Sequence, residues 1–135
     1  MLQKLSADTN AINWFEIPVT DLKRAQQFYE TLLAIKLQTP PPADGEEMAF
    51  FPRLPDTIMA LSGVVSGALV KSDRLKPSSD GPLIYLNASP SLQPVIDRIA
   101  TAGGTVLSPK TKIPAGSICI LKDTEGNRVA IHAAE

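Results

Sequence analysis

One histidine, His132, and a carboxylate, Glu16, lie in segments where apolar side chains alternate with a second set of residues. In a strand, successive side chains point to opposite faces. Trp14 and Glu16 therefore share a face, as do Leu83, Tyr85 and Asn87, and as do Ala130 and His132. Phe15, Ile17, Ile84, Leu86, Val129 and Ile131 take the opposite, apolar faces. A carboxylate desolvated in a cleft holds its proton more tightly, and a neighbouring imidazole can hold or pass one. Brought together, Glu16 and His132 would be an acid/base pair able to enolise a carbonyl compound without a metal. The plainer alternative has them bonding each other or the backbone, since buried polar groups usually find structural partners. Weak metal binding by the same two donors is a third reading, disfavoured because two donors are few.

Other side chains offer narrower chemistry. Trp14, with Tyr85 and Phe50 or Phe51, could stack a planar ligand, although an aromatic on a strand is more often core. Cys119, between Ile118 and Ile120 and with no base near it in sequence, reads as a packed thiol rather than a nucleophile. Arg53, Lys71, Arg74 and Lys76 form a loose basic scatter that could receive an acidic substrate, against a default of solvated loop charges. Asp123, Glu125 and Arg128 flank a tight turn, where bonding to the local backbone accounts for the Asp and Asn.

The elements that must position these groups occur twice. Residues 13–19 followed by Thr20, Asp21 and Leu22 read like residues 83–87 followed by Ser89, Pro90, Ser91 and Leu92, and sliding one onto the other by about 69 residues pairs Trp14 with Leu83. Asp21 is a plausible N-cap, and Leu22, Ala25, Phe28, Tyr29, Leu32 and Leu33 recur at helical spacing up to Ala34. Strands are expected at 36–38, 47–51 and 67–71, with the proline-rich runs at 40–42 and 52–55 breaking between them. Residues 72–82, rich in Pro, Ser, Asp and Gly, form a linker. The second copy predicts a strand at 83–87, a helix at 92–102 capped by Ser91 and stopped by Gly103 and Gly104, and strands at 105–107, 117–121 and 128–133. Residues 110–116 could form a lid, and 123–127 a turn. The fold class is α+β, with two βαβββ modules (about 11–71 and 83–135) paired around a cleft in one domain.

Charge excludes some partners. Thirteen basic against fourteen acidic residues give no field to attract nucleic acid or an anionic membrane. The longest uncharged stretch, 58–70, is interrupted by Ser and Gly and is too short to span a bilayer. Residues 1–10 lack the apolar centre of a signal peptide, and the single cysteine cannot form an internal disulfide, so a cytoplasmic protein is expected.

Ile-Pro-Val-Thr-Asp-Leu at 17–22 before a helix holding Phe28 and Tyr29, together with Asp-Thr-Glu-Gly-Asn-Arg at 123–128 before the final strand, resembles the glyoxalase, bleomycin-resistance and extradiol dioxygenase (vicinal oxygen chelate) superfamily. The resemblance covers nearly the whole chain. It implies paired modules whose curved sheets enclose a cleft, often in a homodimer, and a cleft lined by the faces of Glu16, Asn87 and His132. In metal-using relatives it also implies ligands at the positions held here by Trp14, Leu83 and Ala130, with a fourth on the strand at 67–70. None of these side chains binds a divalent ion, so no metal cofactor is expected. The leading functional expectation is a binder of a small planar or hydrophobic molecule, with Trp14, Glu16, Leu83, Tyr85, Asn87, Ala130 and His132 lining the site. The alternative is a lyase, isomerase or dioxygenase acting on a carbonyl compound through Glu16 and His132, with or without a divalent metal. A partner subunit with a vestigial cleft is the third.

Overall fold

A strand, β1 (Trp14–Pro18), leads into a helix, α1 (Leu22–Leu33), and the turn between them supplies the cap: Asp21 is extended and its Oδ1 accepts from the Arg24 N–H at 3.0 Å. α1 buries Ala25, Phe28, Tyr29 and Leu32, the stripe its sequence spacing predicts, and ends at Ala34 in the left-handed conformation. β2 (Glu47–Phe50) and β3 (Ser66–Lys71) complete the first half. The second half runs β4 (Tyr85–Asn87), α2 (Leu92–Ala102), β5 (Thr105–Ile113), β6 (Gly116–Lys122) and β7 (Arg128–Ala133). Ser91 occupies the N-cap position of α2 without a side-chain cap bond, and Gly103, at φ 107°, ends the helix. This computed structural model describes residues 5–56 and 61–135. The beginning of the uncharged 58–70 stretch and the first four residues of the leader reading lie outside them. No helix among the described residues is long and apolar enough to cross a membrane.

The strands form two sheets, ordered β1-β3-β2 and β4-β7-β6-β5, and in each the module's first strand runs parallel to its last. The duplication is visible in the hydrogen bonds. Val19 N–H donates to Val70 O at 2.9 Å and Ala88 N–H donates to His132 O at 2.7 Å, and residues 19 and 88 are 69 apart, the offset read from the sequence. Counting back from these donors, Trp14 matches Leu83 and Glu16 matches Tyr85. Register places Glu16 beside Ala68 and Tyr85 beside Ala130, so the two alanines are equivalent as well.

Three local expectations need correction. The strand expected at 36–38 is reduced to Gln38, which exchanges backbone bonds with Phe50 at 3.0 and 2.7 Å, so the first sheet has three strands. The lid expected at 110–116 is instead a hairpin, because β5 continues to Ile113 and pairs with β6 up to Gly116. β4 begins at Tyr85, which leaves Leu83 just outside the strand.

Apolar residues of both sheets and both helices share one core: Ile17, Phe28, Tyr29, Leu32 and Leu69 from the first module, and Leu86, Leu92, Ile99, Leu121 and Ile131 from the second. Ala68, Val70 and Ala130 are equally buried but lie on the opposite sheet faces, outside that core. α1 packs on α2, and Arg98 Nε caps Leu32 O at 2.9 Å. β1 and β3 approach closely at Gly67, where a Cβ would collide with the carbonyl and ring of Phe15.

Candidate functional site

β1 and β4 are edge strands of their sheets, and two adjoining hollows lie between them. The larger, about 590 Å³, is mainly apolar and is walled by Ile12, Phe15, Val65, Leu83 and Tyr85, with Asn87 at its margin. The smaller, about 350 Å³, is walled by Glu16, Lys76, Ser78, Asn127 and Arg128, with Asp80 at its rim. Phe15, Pro82 and Ile84 line both, so the two hollows adjoin, and together they make up a trough along the module seam.

Glu16 stands where the trough turns polar. Its carboxylate accepts from Trp14 Nε1 at 3.4 Å and pairs with Arg74 Nη2 at 3.1 Å, and Arg74 is in turn bonded to Glu46. The basic residue that the sequence placed among solvated loop charges is therefore the ion-pair partner of a site carboxylate. Ser72 Oγ donates to Glu46 at 2.7 Å, which fixes the start of the linker beside the same cluster.

His132 is held elsewhere. Its Nε2 lies 2.9 Å from Ala115 O, in the turn of the β5–β6 hairpin, and it forms no bond with Glu16. The acid/base pair anticipated from strand faces is thus not assembled within one chain, where each member has its own partner. Trp14 meets Phe50 edge to face with centroids 5.9 Å apart, and Arg53 stacks over Phe50 at 4.9 Å. Tyr85 is 51% exposed and, among the described residues, has no ring partner. Asn87 Oδ1 accepts from Ser89 N–H at 2.9 Å. Of the residues singled out from sequence, Leu83, Tyr85 and Asn87 line the larger hollow and Glu16 the smaller. Trp14, Ala130 and His132 line neither.

The four positions related by the duplication hold Trp14, Ala68, Leu83 and Ala130. An indole and three hydrocarbon side chains do not suit a divalent ion, which takes imidazole, carboxylate or thiolate donors. Among the described residues, no three His, Cys, Asp or Glu side chains come together as a metal site. Ala68, the fourth position, could not be assigned from sequence because the weakly patterned apolar run around it sets no register; strand pairing does.

Several residues that join the modules were legible only as a turn. Asp123, 4% exposed, accepts from the Tyr29 hydroxyl at 2.6 Å and from the Glu125 and Asn127 N–H groups at 2.8 and 2.9 Å. Burial foremost, and then the Asp123 charge, push the Tyr29 hydroxyl well above its ordinary range. Glu125 reaches back across the modules to accept from the Thr20 and Asp21 N–H groups, both at 2.9 Å, and from Arg24 Nε at 2.8 Å. Burial alone would raise its pKa, but the Arg24 guanidinium and these donors outweigh it and hold the carboxyl at about 2. Asn127 Nδ2 donates to Pro18 O at 2.7 Å while its Oδ1 accepts from Ser78 N–H at 3.0 Å, tying β1, the linker and the turn together at the smaller hollow. Cys119 is buried, donates to Ser108 O at 3.3 Å, and has its thiol pKa pushed up by burial, as suits an inert packing residue.

A model of the Glyoxalase/Bleomycin resistance protein/Dioxygenase superfamily matches residues 11–131. No curated protein matches the chain. Among solved structures, a glyoxylase/bleomycin resistance protein/dioxygenase domain from Frankia sp. EAN1pec superposes with a TM-score of 0.68 at 18% identity, over 93% of this chain and 98% of that one. A glyoxalase I mutant from Zea mays gives 0.66 at 18% identity, over 90% of this chain and 46% of its own. TnmS3, an antibiotic binding protein from Streptomyces sp. CB03234, gives 0.61 at 18% identity, over 92% and 95%. At such identities these likenesses speak for the fold.

Proposed function

Because the chain belongs to the Glyoxalase/Bleomycin resistance protein/Dioxygenase superfamily, we propose that it binds a small planar or hydrophobic molecule in the trough between β1 and β4, without a metal. The observation that carries this reading is the apolar hollow of about 590 Å³ walled by Ile12, Phe15, Val65, Leu83 and Tyr85, with few polar groups at its margin. A preformed concave apolar site of this size suits a drug-sized ligand. The likeness to an antibiotic binding protein supports a binding role. The donor-poor set Trp14, Ala68, Leu83 and Ala130 supports one that needs no ion. A homodimer, with a second chain covering the exposed face of Tyr85 and Asn87, belongs to the same proposal.

The alternative is a lyase, isomerase or dioxygenase using Glu16 and His132. It has less support, since Glu16 is engaged by Arg74 and His132 by Ala115.

Thermal unfolding against a panel of planar aromatic compounds tests the binding role, because a ligand that binds only the folded state raises the midpoint in a saturable way. At least one compound should do so, and Leu83→Asp, which places a charge in the hollow, should abolish the effect while leaving the unliganded midpoint nearly unchanged. A panel without any stabilising compound, or stabilisation that survives Leu83→Asp, overturns the proposal.

A further inference from the structure

The polar end of the trough holds a cation with unused hydrogen-bonding capacity. Arg128 is anchored by its Nη2, which donates to Gly81 O at 2.9 Å, and by its backbone N–H, which donates to Ser78 O at 3.3 Å. Its Nε is buried and has no acceptor. Buried donors are almost always paired, and a charged one left unpaired is costly, so an orphan guanidinium N–H beside a hollow marks a place where an acceptor belongs. Lys76 lines the same hollow, and among the described residues neither Lys76 nor Arg128 forms an ion pair.

Two carboxylates share this hollow. Glu16 is bonded to Trp14 and to Arg74, a guanidinium it shares with Glu46, and forms no ion pair with Arg128 or Lys76. Asp80 sits exposed on the linker, where its backbone N–H is turned to Ser78 Oγ at 3.0 Å. The hollow therefore presents two cations without ion-pair partners among the described residues, beside the engaged Glu16 and the exposed Asp80, and it shares Phe15, Pro82 and Ile84 with the apolar hollow.

Resting on the binding reading above, we infer that the trough takes an amphipathic acid: an aromatic or aliphatic body in the apolar hollow, with its carboxylate received by Arg128 and Lys76. A guanidinium matches a carboxylate geometrically, and a charge-assisted pair sheltered between two modules is stronger than one in open solvent. Seating the carboxylate requires a small shift of Arg128 that turns its buried Nε toward the hollow.

Calorimetric titration with 2-naphthoate and octanoate, each against its neutral primary amide, tests this. The acids should bind about tenfold or more tightly than the amides, the size expected of one charge-assisted pair. Lys76→Gln and Arg128→Lys should narrow that ratio, and Arg128→Gln should reduce it to about twofold. The amides should bind all four proteins alike, which also reports that each variant is folded. Acids and amides binding equally well to the wild type would overturn the anion subsite and leave the apolar hollow standing. An acid preference that persists in both Arg128→Gln and Lys76→Gln would move the subsite elsewhere and overturn the assignment. Failure of all four compounds to bind would remove the hollow reading and this inference with it.

Discussion

Tyr29, fully buried in α1, donates a 2.6 Å hydrogen bond to Asp123 in the turn before β7, 94 residues further along the chain. This contact and the Glu125 cluster beside it fasten the first module to the second. They sit at the end of the seam that holds Asn127 and the polar hollow, so the latch and the proposed site share a wall.

Removing the Tyr29 hydroxyl leaves a buried carboxylate short of one donor without opening a large cavity. Tyr29→Phe should therefore destabilise the protein by about 1–3 kcal/mol, the cost of breaking a hydrogen bond to a charged buried acceptor. Urea unfolding of both proteins measures this directly. A change within error would show that Asp123 is satisfied by its own turn alone.

Acid should loosen the same latch in a definite window. Glu125 titrates at about 2 in the folded protein against an ordinary 4.5, so its contribution is complete above about pH 4.5 and is lost as pH falls toward 2. Between those values the unfolded chain binds more protons at this position than the folded one. Urea midpoints compared at pH 7 and pH 3 should thus fall further for wild type than for Glu125→Gln. Equal losses in the two proteins would place the acid sensitivity elsewhere.

Metal content follows from the side chains at the duplicated positions. Tag-free protein purified without chelator should carry far less than one transition-metal ion per chain by elemental analysis, and chelator should leave its thermal midpoint unchanged. A near-stoichiometric ion would contradict the reading of Trp14, Ala68, Leu83 and Ala130, and would make Glu16 and His132 the first ligands to test.

His132 lies outside both hollows, so His132→Ala should leave ligand-induced stabilisation unchanged, while Glu16→Gln, at the trough wall, should alter it. If the two instead act as one acid/base unit, either substitution should abolish solvent-deuterium exchange into a bound carbonyl compound. Exchange followed by NMR in wild type and both variants separates the two cases. Exchange in wild type that disappears in both variants would restore the enzymatic reading.

What could be read from the sequence was local and periodic. The α1 stripe and its Asp21 cap depend on residues three and four apart, and the module offset depends on a strand and helix occurring twice, so both were legible. The long β5 was not, because its register with β6 slips between Val106 and Ser108 and again between Ser108 and Thr111, which destroys the alternation that marks a strand. The strand expected at 36–38 failed for the opposite reason: an apolar alternation was present, but only Gln38 found a partner. Glu125 and Arg74 find their main partners at separations of 28 to 105 residues, beyond the reach of any spacing rule. The same holds for the separation of Glu16 from His132, since strand parity says which face a side chain takes and nothing about what it meets there.

The close approach at Gly67 shows that the two modules pack differently at matched positions. Phe15 and Gly67 precede Val19 and Val70 by four and three residues, and Ile84 and Val129 precede Ala88 and His132 by the same intervals. One half fills the gap between its outer and inner strand with a large and an absent side chain, the other with two of middling size. A side chain at Gly67 would collide with the Phe15 carbonyl and ring, so the first half cannot take the second half's valine there singly: in a close-packed interior the partners must change together. The duplication is thus a copy of the backbone plan whose two interiors are no longer interchangeable parts.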